Sequence, residues 1–339
     1  MIVKKMPIFQ GFPDFESVKN LSSPRVETKD FKPLFYDIET TGLSRNSTFL
    51  YLIGAIVFEE DNWQLHQWMC ENEQEESLLL QTFSTFAQSY NCTIQYNGNH
   101  FDQPYIEARC RLHGIPVPFE EIPSLDLYQE LKPVKALLKL PKMRQPDLEA
   151  FLDTQNREYC DGRECIKLYR SFLKKKDTRA RETVLGHNEE DLIGLGRICT
   201  VLSYLSLYEG TYEVTSAQYD GEKLLLHLSL EQALPKCFSN GSDEFYITGE
   251  GTDVRLSITT YTGRVRQYYE NYKDYDYLPG EDMAVPKSLS AYLDKSLKEP
   301  ATAANCYTYV TCDNSFLENK EKVKSFLQRT LPTMLKMLK

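Results

Sequence analysis

Four carboxylates in three separated stretches have the residue types and spacing of one metal site. The stretches are Phe35-Tyr36-Asp37-Ile38-Glu39-Thr40-Thr41-Gly42, Asn97-Gly98-Asn99-His100-Phe101-Asp102 and His187-Asn188-Glu189-Glu190-Asp191. Asp37 and Glu39 close an otherwise apolar run. In a strand, residues i and i+2 point to one face, so the two carboxylates converge. Buried like charges repel, and keeping both ionised calls for a compensating cation. Asp102 begins a helical stretch, and His187 and Asp191, four apart, share a helix face. The combination suggests two-metal phosphodiester chemistry.

Each piece has an ordinary alternative. Asp-x-Glu pairs arise by chance in an acidic chain, and solvated acids at a strand end would look the same. Asp102 is a good N-cap, with Pro104 at an early helical position. Asp191 is an acid favoured in a first helical turn, and His187 could lie on the surface. Three independent ordinary explanations, in this order along one chain, are less economical than one site.

The elements that must position these residues are legible in outline. Leu34 to Ile38 reads as a buried strand. Phe49 to Phe58 and Trp63 to Met69 read as a hairpin across Glu59-Glu60-Asp61-Asn62. Glu75 to Tyr90 has helical periodicity, Thr93 to Tyr96 is a short strand, and Pro104 to His113 is a helix ended by Gly114 and Pro116. Ser124 to Leu127 is another short strand, and the chain is then largely helical to Tyr208. Gly186, Gly194 and Gly196 in the last helix imply close backbone approach to the sheet, or a break at Gly186. Three strands, then alternation, give an α/β mixed sheet flanked by helices, and no G-x-G-x-x-G follows the first strand. Residues 1–30 read as an irregular arm, with packing of Val3 to Phe15 as an extra strand the alternative, 31–209 as the domain carrying the acids, and 210–339 as a smaller α+β domain. In the last, strands over 212–219, 223–230, 244–249, 253–261 and 265–269 precede helices near 286–297 and 316–338.

The 339 residues carry a formal net charge of −10, −7 in residues 1–209 and −3 in residues 210–339. Neither half has the basic excess of a protein that holds nucleic acid mainly by counterion release. This weighs against a simple binding module more than against an enzyme whose acids bind cations. The nine cysteines are scattered, with no C-x-x-C pair, as expected of free thiols in a reducing, cytoplasmic setting. The start lacks the apolar core of a signal peptide, and no run approaches the ~18 apolar residues of a membrane span.

Asp37-Ile38-Glu39-Thr40-Thr41-Gly42-Leu43 resembles the first motif of the DEDD-type 3′–5′ exonucleases. Tyr96-Asn97-Gly98-Asn99-His100-Phe101-Asp102 resembles the second, and His187-Asn188-Glu189-Glu190-Asp191-Leu192 the third. The stretch 33–208 as a whole resembles the YprB-type ribonuclease H-like domain. The resemblance implies a ribonuclease H-like fold, with Asp37, Glu39, Asp102 and Asp191 binding two Mg²⁺ or Mn²⁺ ions, which suits hard oxygen ligands. It implies hydrolysis of single-stranded nucleic acid from the 3′ end, with the ions clamping the scissile phosphate. His187 would orient or deprotonate the attacking water, since imidazole is the side chain that exchanges protons near neutral pH. One departure stands out: the histidine subgroup places its histidine five residues before the last acid, whereas His187 stands four before Asp191, at the spacing of the tyrosine subgroup. Thr40, Thr41, Gly42 and Leu43 are expected to bracket the terminal nucleotide, and Asn97 to orient the second-motif loop or the substrate.

Two basic stretches could hold phosphates upstream of the cleaved end: Lys132, Lys135 and Lys139 at helical spacing, and Lys174, Lys175, Lys176, Arg179 and Arg181. A solvated helix face is the alternative for both. Tyr268, Tyr269, Tyr272, Tyr275 and Tyr277 are interleaved with acids that repel phosphate, so they are expected to pack against the first domain or a protein partner. The competing functional class is a catalytically inactive nucleic-acid or protein-binding module on the same scaffold. Retention of all four repelling acids argues against it.

Overall fold

Apolar β-prone runs seed a six-stranded sheet in the first half of the chain. The computed structural model describes residues 1–28, 30–119, 122–154, 158–159 and 162–338; Cys160 lies outside them. It divides into two compact units, one of residues 1–132 with 143–202, the other of residues 133–142 with 203–339.

In the first unit the elements are β1 (Ile2–Ile8), α1 (Phe15–Val26), β2 (Pro33–Thr40), β3 (Leu50–Glu59), β4 (Asn62–Met69), α2 (Glu76–Ala87), β5 (Cys92–Gln95), α3 (Asp102–His113), β6 (Ser124–Asp126) and α4 (Leu127–Glu130). After α5 (Val134–Leu137), which belongs to the second unit, come α6 (Gln145–Phe151), α7 (Gly162–Lys175) and α8 (Thr178–Cys199). The strand order is β1-β4-β3-β2-β5-β6. The first four strands pair antiparallel, and β5 and β6 run parallel to β2. The first eight residues of β3 are all buried, as expected of a central strand covered on both faces. The expected arm over residues 1–30 is instead β1 and α1. β1 lies along β4 from Ile2↔Met69 to Ile8↔Trp63. Its lysines and proline are what edge strands tolerate, and they mask the strand pattern in the sequence.

α8 is one unbroken helix, so the expected break at Gly186 is absent. Asp177 caps it, its carboxylate accepting from the N–H groups of Arg179 and Ala180. The glycines serve close approach, though to side chains rather than to the sheet. A Cβ on Gly186 would strike Tyr159, on Gly194 Glu149, and on Gly196 Phe12.

The second unit is built on α9 (Ser206–Glu209) and an antiparallel sheet of β7 (Tyr212–Tyr219), β8 (Lys223–Leu230), β9 (Phe238–Gly241), β10 (Phe245–Glu250) and β11 (Asp253–Thr259), in the order β7-β8-β11-β10-β9. Two small sheets follow, from β12 (Arg264–Tyr268), β13 (Tyr275–Leu278), β14 (Met283–Pro286), β15 (Glu299–Pro300) and β16 (Tyr307–Thr311). The helix expected near 286–297 is only the short α10 (Lys287–Ser290) and a 3₁₀ turn, and the last helix is split into α11 (Asn314–Leu317) and α12 (Lys320–Lys336). The tyrosine cluster packs inside this unit: Tyr269, Tyr272, Tyr275 and Tyr277 lie on Ala284, Ala301 and Cys306.

Lys135 and Lys139 also belong to the second unit, not to the one that carries the four acids. α5 is a single turn, and Lys139 follows it in the left-handed region at φ 53°. The expected helical stripe of lysines is therefore absent. Among the described residues no helix is long and apolar enough to cross a membrane.

Candidate metal centre

β2 ends in a bulge. Its register with β3 runs from Leu34↔Val57 to Glu39↔Leu52 and then shifts before Thr40↔Leu50. Asp37 and Glu39 thus sit on one face at the last regular turn of the ladder, in the middle of the sheet. Burial, then the charges of Asp191, Asp102 and Glu39, push the Asp37 carboxyl well above the usual range, against a hydrogen bond from Asn188. Burial and the charges of Asp191 and Asp102 do the same to Glu39, partly offset by the Tyr51 hydroxyl 3.4 Å away.

Asp102 is the first residue of α3 rather than its cap. Phe101 occupies the N-cap position and makes no side-chain cap bond. Burial pushes the Asp102 carboxyl up to about 7, against hydrogen bonds from its own N–H and that of Ile38, while Asp126 and Asp191 raise it further. The bond from Ile38 ties the start of α3 to β2 beyond the point where β5 stops pairing.

His187 is buried, with Nε2 3.3 Å from Glu39 Oε1 and 3.3 Å from Asp191 Oδ2. A charge-assisted hydrogen bond would be shorter, about 2.7–2.9 Å. A spacing of 3.3 Å leaves room for a cation held by the acids beside the imidazole. One ligand atom from each of Glu39, His187 and Asp191 lies within 4.8 Å of the others. The four-residue spacing therefore turns the imidazole into the acidic cluster. Its Nδ1 has no hydrogen-bond partner among the described residues. The four carboxylates fit a hard divalent cation, and the His187 imidazole faces the same space.

The remaining expected residues fall as follows. Thr40 Oγ1 and Thr48 Oγ1 both donate to the Gly42 carbonyl, at 2.9 and 3.0 Å, which closes the loop after β2. Leu43, 87% exposed, projects from that loop. Asn97 takes a left-handed conformation at φ 58°, and its N–H donates to Asp126 Oδ1 at 2.8 Å. Its backbone thereby shapes the loop that delivers Asp102.

Five residues escaped the sequence reading. Tyr51 touches Glu39, and Asp126 organises the second-motif loop. Asn188 and Gln67, both buried, form a hydrogen-bonded chain to Asp37. Gly54 gives that chain its space. Only Gly54 carried a signal, as a glycine inside an apolar strand.

A family model described as RNase_H superfamily matches residues 34–203, half of the chain. The chain belongs to the RNase_H superfamily. Its first unit is the ribonuclease H-like mixed sheet with flanking helices, followed by a sheet-rich C-terminal part. The Bacillus subtilis (strain 168) protein named uncharacterized protein YprB is 28% identical over 179 residues, covering 51% of this chain. The match takes in 40% of that protein, so this chain spans less than half of its length. Among solved structures, the family B DNA polymerase of Pyrobaculum calidifontis is similar at a TM-score of 0.42 and 15% identity, over 53% of this chain and 25% of that one. Escherichia coli exonuclease I with a dT13 oligonucleotide is similar at a TM-score of 0.35 and 13% identity, over 65% and 55% of the two chains.

Proposed function

We propose that this protein is a metal-dependent nuclease that hydrolyses single-stranded nucleic acid from its 3′ end. The observation that carries the reading is the convergence of Asp37 and Glu39 from β2, Asp102 from α3, and His187 and Asp191 from α8. Membership of the RNase_H superfamily supports it.

Asp37, Glu39, Asp102 and Asp191 would hold two Mg²⁺ or Mn²⁺ ions, which supply Lewis acidity at the scissile phosphate and make bound water a nucleophile at neutral pH. His187 Nε2 faces the same space and orients the attacking water or takes its proton. The loop of Thr40, Thr41, Gly42 and Leu43 follows directly on the acids and brackets the terminal nucleotide, with the Leu43 side chain against its base. The loop through Asn97 fixes Asp102 and borders the strand.

The test is a degradation time course on 5′-labelled DNA and RNA, with free and blocked 3′ ends, in Mn²⁺ and in EDTA. A ladder that grows only from free 3′ ends, needs the metal, and vanishes in Asp37→Ala and Asp191→Ala is the expected result. Hydrolysis that survives both substitutions removes the site from the reaction. Retention of labelled strands without any product would instead mark a binding module.

A further inference from the structure

Asp37, Gly54 and Gln67 form one row across the sheet. Gly54 on β3 is the register partner of Asp37 on β2 and of Gln67 on β4. The gap over Gly54 is filled from α8 by the buried amide of Asn188. Gln67 Nε2 donates to the Leu185 carbonyl at 2.8 Å and to Asn188 Oδ1 at 2.8 Å. Asn188 Nδ2 donates to Asp37 Oδ2 at 2.8 Å and to the Asp37 carbonyl at 3.4 Å.

Donor and acceptor chemistry leaves this chain one direction. The Leu185 carbonyl only accepts, so the Gln67 amide must turn its NH₂ toward it and toward Asn188. Asn188 must then present oxygen to Gln67 and NH₂ to Asp37. Asp37 Oδ2 therefore always meets a donor, which favours its ionised form and pins the carboxylate rotamer. A Cβ at position 54 would come 1.9 Å from Asn188 Oδ1 and 2.7 Å from Leu192 Cδ1. Any side chain there displaces the amide.

We propose that Asn188, oriented by Gln67 and admitted by Gly54, is a positioning residue that holds Asp37 in its metal-binding orientation. The proposal rests on the metal-centre reading above and deepens it. Partners one step behind metal ligands typically tune affinity by roughly 10–100-fold.

The experiment is a Mn²⁺ titration, with free Mn²⁺ read by electron paramagnetic resonance, alongside urea denaturation in EDTA. Asn188→Ala is expected to weaken Mn²⁺ binding by roughly 10–100-fold. Asn188→Leu, close in volume, serves if the alanine variant fails to fold. Gly54→Ala is expected to weaken binding to a similar degree in the wild-type background, but by less than about threefold once Asn188 is already alanine. That non-additivity is the mark of a shared partner. Asn188 variants that bind Mn²⁺ like the wild type, or a Gly54→Ala effect unchanged in the Asn188→Ala background, would overturn the proposal. Wild-type protein that binds no Mn²⁺ would instead overturn the metal centre, and the proposal with it.

Discussion

Removing the metal should make the first unit less stable as pH rises, and Asp102 supplies much of the effect. Its folded carboxyl is pushed up to about 7 from an ordinary 3.8. A raised folded pKa means that the native state binds the proton more tightly. The stabilisation is fully present below the unfolded pKa and is lost as pH climbs through the folded one. Between pH 5 and pH 8 the loss for this one group is about 2.5 kcal/mol. Asp102 is only half-buried, so water screens part of this, and about 1–2.5 kcal/mol is the expected range. Asp37 and Glu39, displaced in the same direction, add to the slope. The assay is urea denaturation in EDTA followed by tryptophan fluorescence. Trp63 and Trp68 are the only tryptophans, and both are buried in the first unit, so the signal reports that unit. Asp102→Asn, a neutral isostere, should flatten the fall by the stated amount and leave the variant more stable than wild type at pH 8. Saturating Mn²⁺ should restore wild type at pH 8, by about 2.7 kcal/mol at a hundred times its dissociation constant, and do less for the variant. Equal pH slopes for wild type and Asp102→Asn in EDTA would refute the reasoning.

Other perturbations have sharper local readouts. Glu76 is buried beneath Arg109, His113 and the N–H of Leu50; Glu76→Ala strands a buried guanidinium and should cost about 3–5 kcal/mol in urea denaturation. Leu43→Ala should leave stability within about 0.5 kcal/mol, since the side chain is almost wholly exposed, yet slow removal of terminal nucleotides several-fold. An unchanged rate would detach the loop from the substrate. The Asp126 carboxylate accepts from the N–H groups of Asn97, Asn99 and Tyr128, at 2.8, 3.3 and 3.0 Å. Asp126→Asn turns one oxygen into a donor facing donors and should cost about 1–3 kcal/mol, with weaker Mn²⁺ binding through a displaced Asp102.

The strands that were legible are those whose burial follows a simple rule. β7 and β8 span the residues read from alternation and from the Asp220-Gly221 turn, and β3 announces itself as a long apolar run. β1 showed only faintly, as an alternative to an irregular arm, because two lysines and a proline suit an edge strand paired on one side only. The stretch 286–297 has helical composition, but its leucines stay exposed, with Leu289 at 64%, so nothing extends the helix beyond one turn. The acids could be picked out because their spacing matches strand and helix geometry. The amides behind them could not, because a buried Asn or Gln looks in sequence like any solvated one. The orientation of His187 depended on α8 running unbroken through Gly186, which its three glycines obscured.

The second unit is not one continuous stretch of chain. Residues 133–142 leave the first unit between α4 and α6, and bury Val134, Leu137, Leu138 and Leu140 in the second. Asn240 fastens them there, its side chain donating to the carbonyls of Ala136 and Leu137 at 2.8 and 3.1 Å. The chain therefore crosses between units three times, and a cut after Tyr208 would not release an intact first unit. It would leave an apolar decapeptide without its packing partners, exposed in the middle of the remaining polypeptide. Isolating the acidic site by dissection thus calls for replacing that segment with a short polar link, joining Lys132 to Met143, as well as trimming the end.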